Sequence, residues 1–215
     1  SSCSRRPLVK TLGVLDYGVG NMQSVANALD KIGVPWDLVS EPGKVCRYGK
    51  LLLPGVGAFG AAVSRLEETG LKEEVCVSAK AGTSLLGICL GMQLLGKSSE
   101  ESAGFEGLGL LDAETVAITS ANTTSNTGFR AVDISAARSG FETETSTRDY
   151  YFNHGYRLVP NDPTVTAGLL SWSGSEIVAA VSSDNIMGVQ FHPEKSQGQG
   201  LAVLRGFALS GELRL

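Results

Sequence analysis

Ser84-Leu85-Leu86-Gly87-Ile88-Cys89-Leu90-Gly91 reads as a short apolar strand, Ser84 to Ile88, that ends on a cysteine and turns at once into an apparent helix. Upstream the same strand-then-helix unit repeats. Leu12 to Asp16 is an apolar strand, Tyr17-Gly18-Val19-Gly20 a turn, and Asn21 a helix cap. Met22, Val25, Ala26, Leu29 and Ile32 follow at helical spacing, and Gly33 is the stop. Pro35 to Val39 and Lys50 to Leu53 supply two more strands. Pro54 to Gly60 is a glycine-rich loop, and helical pattern runs from Ala61 to about Ala79. This alternation predicts βαβ units in a parallel sheet covered on both faces. Such sheets bind ligands at the carboxyl ends of their strands, which is where Cys89 falls.

The second half has a different texture. Glu114 to Ile118, Ala131 to Ile134, Arg148 to Asn153, Thr166 to Leu170, Ile177 to Val181 and Ile186 to Gln190 are short strand-like runs between turn residues, as in an antiparallel region. Two Ser/Thr-rich stretches, Thr119 to Thr127 and Ser139 to Thr147, lack apolar periodicity and are expected as exposed hairpin tips or mobile loops. Gly200 to Ser210 carries Leu201, Leu204 and Phe207 at helical spacing and closes the chain as a helix. The expectation is a mixed α/β fold: an N-terminal tail at 1–11, one domain at 12–211 and a C-terminal tail at 212–215.

With 215 residues, 42% of them hydrophobic, the chain can bury a full core. A net charge of −4 with interspersed signs argues against a nucleic-acid binder or a polybasic membrane anchor. The N-terminal stretch holds Arg5 and Arg6 without a signal-peptide apolar core, and no run approaches ~18 apolar residues. A cytoplasmic protein without metal or cofactor is expected. The four cysteines, at 3, 46, 76 and 89, have neither metal-ligand spacing nor the number a disulfide scaffold needs. Asn122-Thr123-Thr124 matches a glycosylation acceptor, which carries little without a secretory signal.

Cys89 at a strand-to-helix turn is chemically suggestive, because the thiol projects above the sheet and a helix N-terminus favours negative charge. Gly87 and Gly91 permit the tight turn; a buried structural cysteine beside packing glycines is the bland alternative. The chain has only two histidines. One, His192, follows the strand-like Met187-Gly188-Val189-Gln190-Phe191 and precedes Pro193-Glu194, so Glu194 can reach one ring nitrogen and leave the other to exchange a proton with Cys89. Pro54-Gly55-Val56-Gly57-Ala58-Phe59-Gly60 matches a dinucleotide-binding G-x-G-x-x-G, yet Glu73 and Glu74 fall in a helical stretch where that fingerprint needs a strand-end acid. The loop is better read as offering backbone N–H groups, at Val56 and Gly57, which with the Leu90 amide form an oxyanion hole.

Together these residues resemble the class I glutamine amidotransferases, and most closely the group that forms the glutaminase subunit of imidazole glycerol phosphate synthase. Four ordered motifs carry the resemblance: Asp16-Tyr17-Gly18-Val19-Gly20-Asn21 with Ser24-Val25, Leu53 to Phe59, Gly87 to Leu95, and Gly188 to Ser196. The resemblance implies a flavodoxin-like fold with a mainly parallel central sheet flanked by helices. It implies that Cys89, His192 and Glu194 form a triad that hydrolyses L-glutamine to glutamate and ammonia through a thioester. Gly57, Gln93, Glu101, Gly155 and Tyr156 would hold the glutamine, Glu101 meeting its ammonium. Ammonia released to water becomes ammonium and loses its lone pair, so the family passes it to a bound synthase. Here that implies a heterodimer with a cyclase of histidine biosynthesis.

The chain departs from the family where the latter carries Pro-His-Met-Gly-Trp-Asn near the synthase interface: Ser125-Asn126-Thr127-Gly128-Phe129-Arg130 stands there. The family's Tyr-Phe-x-His-Ser-Tyr becomes Tyr151-Phe152-Asn153-His154-Gly155-Tyr156. Three alternatives remain open on residues alone: a cysteine hydrolase or peptidase of related fold, a glutaminase-like subunit serving another synthase, and a binding module whose donor loop never organises.

Overall fold

The computed structural model describes residues 10–119, 124–134 and 147–215. Among them are strands β1 (Leu12–Leu15), β2 (Trp36–Val39), β3 (Lys50–Gly55), β4 (Ser84–Cys89), β5 (Ser98–Ser99), β6 (Ala113–Ala117), β7 (Asn126–Asp133) and β8 (Thr147–His154). These are followed by β9 (Tyr156–Pro160), β10 (Thr166–Trp172), β11 (Ser175–Ser183) and β12 (Ile186–Val189). The helices are α1 (Met22–Ile32), α2 (Pro42–Val45), α3 (Phe59–Glu68), α4 (Leu71–Lys80), α5 (Leu90–Leu94) and α6 (Gln197–Ser210).

The large sheet runs β2-β1-β3-β4-β12-β11-β10-β7-β8. Its first five strands pair in parallel, in the doubly wound 2-1-3-4-5 order of flavodoxin-like folds. Apolar runs in these strands send alternate residues to opposite faces. Leu12, Val14, Leu52, Leu86 and Ile88 meet α1 and α6 in one core cluster. Leu15, Leu51, Leu53 and Leu85 meet α3 and α4 in the other. Burial on both faces is why β1, β3 and β4 show no polar alternation.

The antiparallel extension, β11-β10-β7-β8, bears out the second-half expectation. One strand plays a double part: β12 is antiparallel to β11 and parallel to β4, with Val189 opposite Ile88. Both chains therefore leave the sheet at the same edge, one into Cys89 and the other into His192. Sequence distance is erased there by strand pairing.

Several boundaries moved for identifiable reasons. The helical pattern of 61–79 is two helices, because Gly70 adopts φ +72 between them. The loop at 54–60 is shorter than expected, since β3 continues through Pro54 and Gly55 and α3 begins at Phe59. The stretch at 119–127 is not wholly loop, as Asn126 and Thr127 open β7 and pair with His154 and Asn153. Likewise Thr147 opens β8. Tyr156–Pro160 was not anticipated as a strand. It follows β8 after the single residue Gly155 and changes sheet, pairing with β6 in a separate three-stranded sheet, β5-β6-β9. At the C-terminus, Gly211 caps α6 at φ +74, and the expected tail is packed: Leu213 and Leu215 lie against the core. Residues 1–9, Asn122 and most of 139–147 lie outside the described residues. Among the described residues no helix is long and apolar enough to cross a membrane, and no group of His, Cys, Asp and Glu is placed to hold a metal ion.

Candidate active site

Cys89 ends β4 at φ 54, ψ −109, a left-handed backbone that a residue with a side chain rarely adopts. The turn is that sharp because β3 and α5 lie almost in contact with it. A Cβ on Gly91 would stand 1.9 Å from the Leu53 carbonyl oxygen, and one on Gly87 would stand 2.5 Å from the Gly91 oxygen. Gly55 faces the same elbow, where a Cβ would meet the Tyr17 hydroxyl at 2.7 Å. Tyr17 donates to the Pro54 carbonyl at 2.8 Å, and burial, then the neighbouring Cys89 charge, push its phenol well above the usual range.

His192 lies three residues beyond the end of β12 and is held by several bonds. Its N–H donates to the Tyr151 carbonyl at 2.8 Å, while the Ser196 hydroxyl donates to the His192 carbonyl at 2.7 Å and accepts from the Tyr151 N–H at 2.9 Å. Its Nδ1 meets Glu194 Oε1 at 2.8 Å, with both side chains 3% exposed. Burial opposes charge on this ring, but hydrogen bonding to Cys89 and Glu194 outweighs burial and raises the imidazole to about 9. The direction of that shift favours the charged form of the ring beside Cys89. The other Glu194 oxygen, Oε2, is buried without a partner among the described residues.

The expected substrate contacts occupy defined positions. Gly57 has φ +96 in the loop between β3 and α3, and Leu90 opens α5, where first-turn amides lack an intrahelical acceptor. Glu101 Oε2 accepts from the Phe59 N–H at 2.7 Å, which seats its carboxylate at the end of that same loop. Gln93 is buried, and both hydrogens of its Nε2 are committed, to the Tyr156 carbonyl at 3.0 Å and to Gln190 Oε1 at 3.2 Å. The Gly155 carbonyl accepts from Ile118 and the Tyr156 carbonyl from Gln93 and His154. Cys46 and Cys76 lie away from the elbow, Cys76 against the Leu108 carbonyl at 3.5 Å.

Sequence reasoning missed Gln190, Ser196, Tyr151 and Tyr17 as site-forming residues. Gln190 had one available signal: a polar amide closing the apolar run Ile186 to Val189, two residues before His192. The segment at 125–130 runs along β7 beside β8. Phe129 stands 45% exposed there, edge-on to Tyr151 at 5.6 Å.

A cysteine in a left-handed elbow, a histidine beside it and a buried glutamate behind define a triad-type cysteine hydrolase on a flavodoxin-like sheet. The model of the glutamine amidotransferase class-I family matches residues 13–210. The "Imidazole glycerol phosphate synthase subunit HisH" of Moorella thermoacetica is 38% identical over 95% of this chain and 96% of its own length. That of Methanothermobacter thermautotrophicus is 41% identical over 91% and 96%. A solved glutamine amidotransferase superposes with TM-score 0.71 at 18% identity, over 94% of this chain and 100% of its own, and PurLQS from Thermotoga maritima with 0.68 at 21%, over 93% and 94%. The chain belongs to the class I glutamine amidotransferases and, within them, to the HisH group.

Proposed function

We propose that this protein is the glutaminase subunit of imidazole glycerol phosphate synthase, hydrolysing L-glutamine and handing the ammonia to a cyclase in histidine biosynthesis. The observation that carries the chemistry is the His192 ring, held at Nδ1 by the buried Glu194 at 2.8 Å and brought to the Cys89 edge by the pairing of β12 with β4. Cys89 sulfur adds to the carboxamide carbon of glutamine, and the carbonyl electrons move onto oxygen. That oxyanion is met by the amides of Leu90 and of the loop at Val56 and Gly57, donors of a kind that contribute ~10²–10³ in rate each. As the C–N bond breaks, His192 gives its proton to the departing nitrogen and ammonia leaves. The neutral imidazole then takes a proton from water as the oxygen adds to the thioester, and loss of thiolate yields glutamate. Gln93 Oε1, Glu101 and the Gly155-Tyr156 turn are the groups assigned to hold the substrate.

Hydrolysis is tested by measuring glutamate and ammonia from glutamine with the purified protein, alone and with a histidine-pathway cyclase. Cyclase-stimulated glutamate formation is the expected result. Absence of glutamate under both conditions, while Cys89 is still labelled by an electrophilic glutamine analogue, would instead favour a hydrolase of another amide.

A second reading concerns the acceptor alone. The Ser125-Asn126-Thr127-Gly128-Phe129-Arg130 segment differs from the family pattern where a synthase docks, and Arg130 folds back to donate to the Phe129 and Thr127 carbonyls. A different synthase could be served there. Stimulation by the cyclase at stoichiometric concentration excludes this reading, and its absence alongside basal glutaminase activity supports it.

A further inference from the structure

The backbone carbonyl of Tyr156 has no hydrogen to give, so both side chains that reach it must donate. His154 does so through Nδ1 at 2.8 Å and Gln93 through Nε2 at 3.0 Å. The second contact decides which end of the Gln93 amide is nitrogen, independently of any choice made for the amide itself. Its remaining N–H points to Gln190 at 3.2 Å, where only the amide oxygen can accept. Gln190 is thereby oriented too, with Nε2 directed at Cys89 Sγ, 3.8 Å away. Gln190 is 0% exposed, so water does not compete for these groups. The relay continues beyond Tyr156: burial lowers His154 to about 4, so the neutral ring, with its Nδ1 proton used, accepts at Nε2 from Asn126 Nδ2 at 3.1 Å.

Two backbone and side-chain groups therefore compete at the sulfur. The Asn153 carbonyl, 3.9 Å from Sγ, can only accept and so favours the protonated thiol. The Gln190 N–H can only donate in this orientation and so favours the thiolate. We propose that Gln190 is a catalytic residue of this site, its amide N–H stabilising the Cys89 thiolate and held in the donating orientation by the relay from the Tyr156 carbonyl through Gln93. The proposal rests on the glutaminase reading for its place in the reaction, but not for its geometry. Donors to charged groups are stronger than neutral ones, and their loss at a buried site costs on the order of tenfold or more in an equilibrium.

The test uses the full chain with Gln190→Met, which keeps the volume and removes the donor. Gln190→Asn withdraws the N–H by one methylene while keeping the polarity, and Gln190→Glu replaces the donor with an anion. Alkylation of Cys89 by iodoacetamide is followed from pH 5.5 to 9.5 on the Cys89 peptide by mass spectrometry, so that the other thiols do not count. Circular dichroism verifies folding. At pH 6.5 the Met and Asn variants should alkylate about tenfold more slowly than the parent, the deficit closing as pH rises, with Glu slower still. The kcat for glutamine should fall by a similar factor. A folded Met or Asn variant that keeps the parental alkylation profile overturns the proposal. If the parent hydrolyses no glutamine but the profiles separate as described, the functional reading fails and the role of Gln190 stands.

Discussion

Glu194→Gln isolates what the buried carboxylate does for His192. The variant keeps an oxygen able to accept from Nδ1 at the present 2.8 Å, so the ring can stay in place while the negative charge is lost. In the parent, burial disfavours the imidazolium, yet Cys89 and Glu194 raise it from 6.5 to about 9. That is a net preference of about 3 kcal/mol for the charged ring. Without the carboxylate, burial is opposed by Cys89 alone. Should the ring return to its ordinary 6.5, only about one-tenth of it is protonated at pH 7.5, whereas the parent is almost fully so. Loss of the proton donor thus costs roughly tenfold, and weaker orientation of the ring extends the fall in kcat to about 10²–10³. KM should change little, since Glu194 is buried behind the histidine. The assay is cyclase-stimulated glutamate formation from pH 6 to 10. The parent should lose kcat as pH rises through about 9, where the imidazolium gives up its proton, and the variant should lose it at lower pH and recover toward the acid side. A folded Glu194→Gln protein with parental kcat and an unmoved alkaline limb would refute this account of the triad.

Two further outcomes are expected. His154 is held near 4 by burial, below the 6.5 of an exposed histidine. Well above pH 6.5 the ring is neutral both folded and unfolded and contributes no pH dependence. As pH falls from 6.5 toward 4 the unfolded chain takes up the proton first, so stability should drop by up to about 3 kcal/mol. Urea denaturation at pH 7 and pH 4.5 should show a smaller difference in His154→Phe than in the parent; equal differences would contradict it. Glycine substitutions separate the elbow from ordinary helix. In Gly91→Ala the new methyl would lie 1.9 Å from the Leu53 oxygen, whereas a Cβ at Gly198 in α6 meets nothing within 4 Å. Gly91→Ala should lose about 3 kcal/mol or fail to accumulate soluble, and Gly198→Ala should be neutral or gain up to about 1 kcal/mol, judged by chemical denaturation. Equal stabilities for the two would remove the steric argument for the elbow.

The parallel half of the fold was legible because β1, β3 and β4 are buried on both faces and α1 carries its own punctuation. Asn21 accepts from the Ser24 amide and Gly33 takes the left-handed stop, both local events. Gly70 was harder to read, since a glycine inside helical periodicity is compatible with a continuous helix until its φ is known. Gly155 hid a change of sheet for a comparable reason: the hydropathy of Tyr151 to Val159 does not reveal that β8 and β9 pair with different partners.

By itself the sequence marked the candidate nucleophile, its glycine elbow and the candidate histidine with its glutamate, and it pointed to the family. Those signals are local, a few residues wide, and the physical demands of a tight turn or a His-x-Glu pair are met within them. Only the tertiary structure decided how the pieces meet. Parallel pairing of β12 with β4 carries Cys89 and His192 to one edge across a hundred residues of chain. The contacts of Tyr156, Gln93 and Gln190 give each amide a direction. Hydrogen-bond polarity propagates through space from a carbonyl that can only accept, and no window along the chain contains that information.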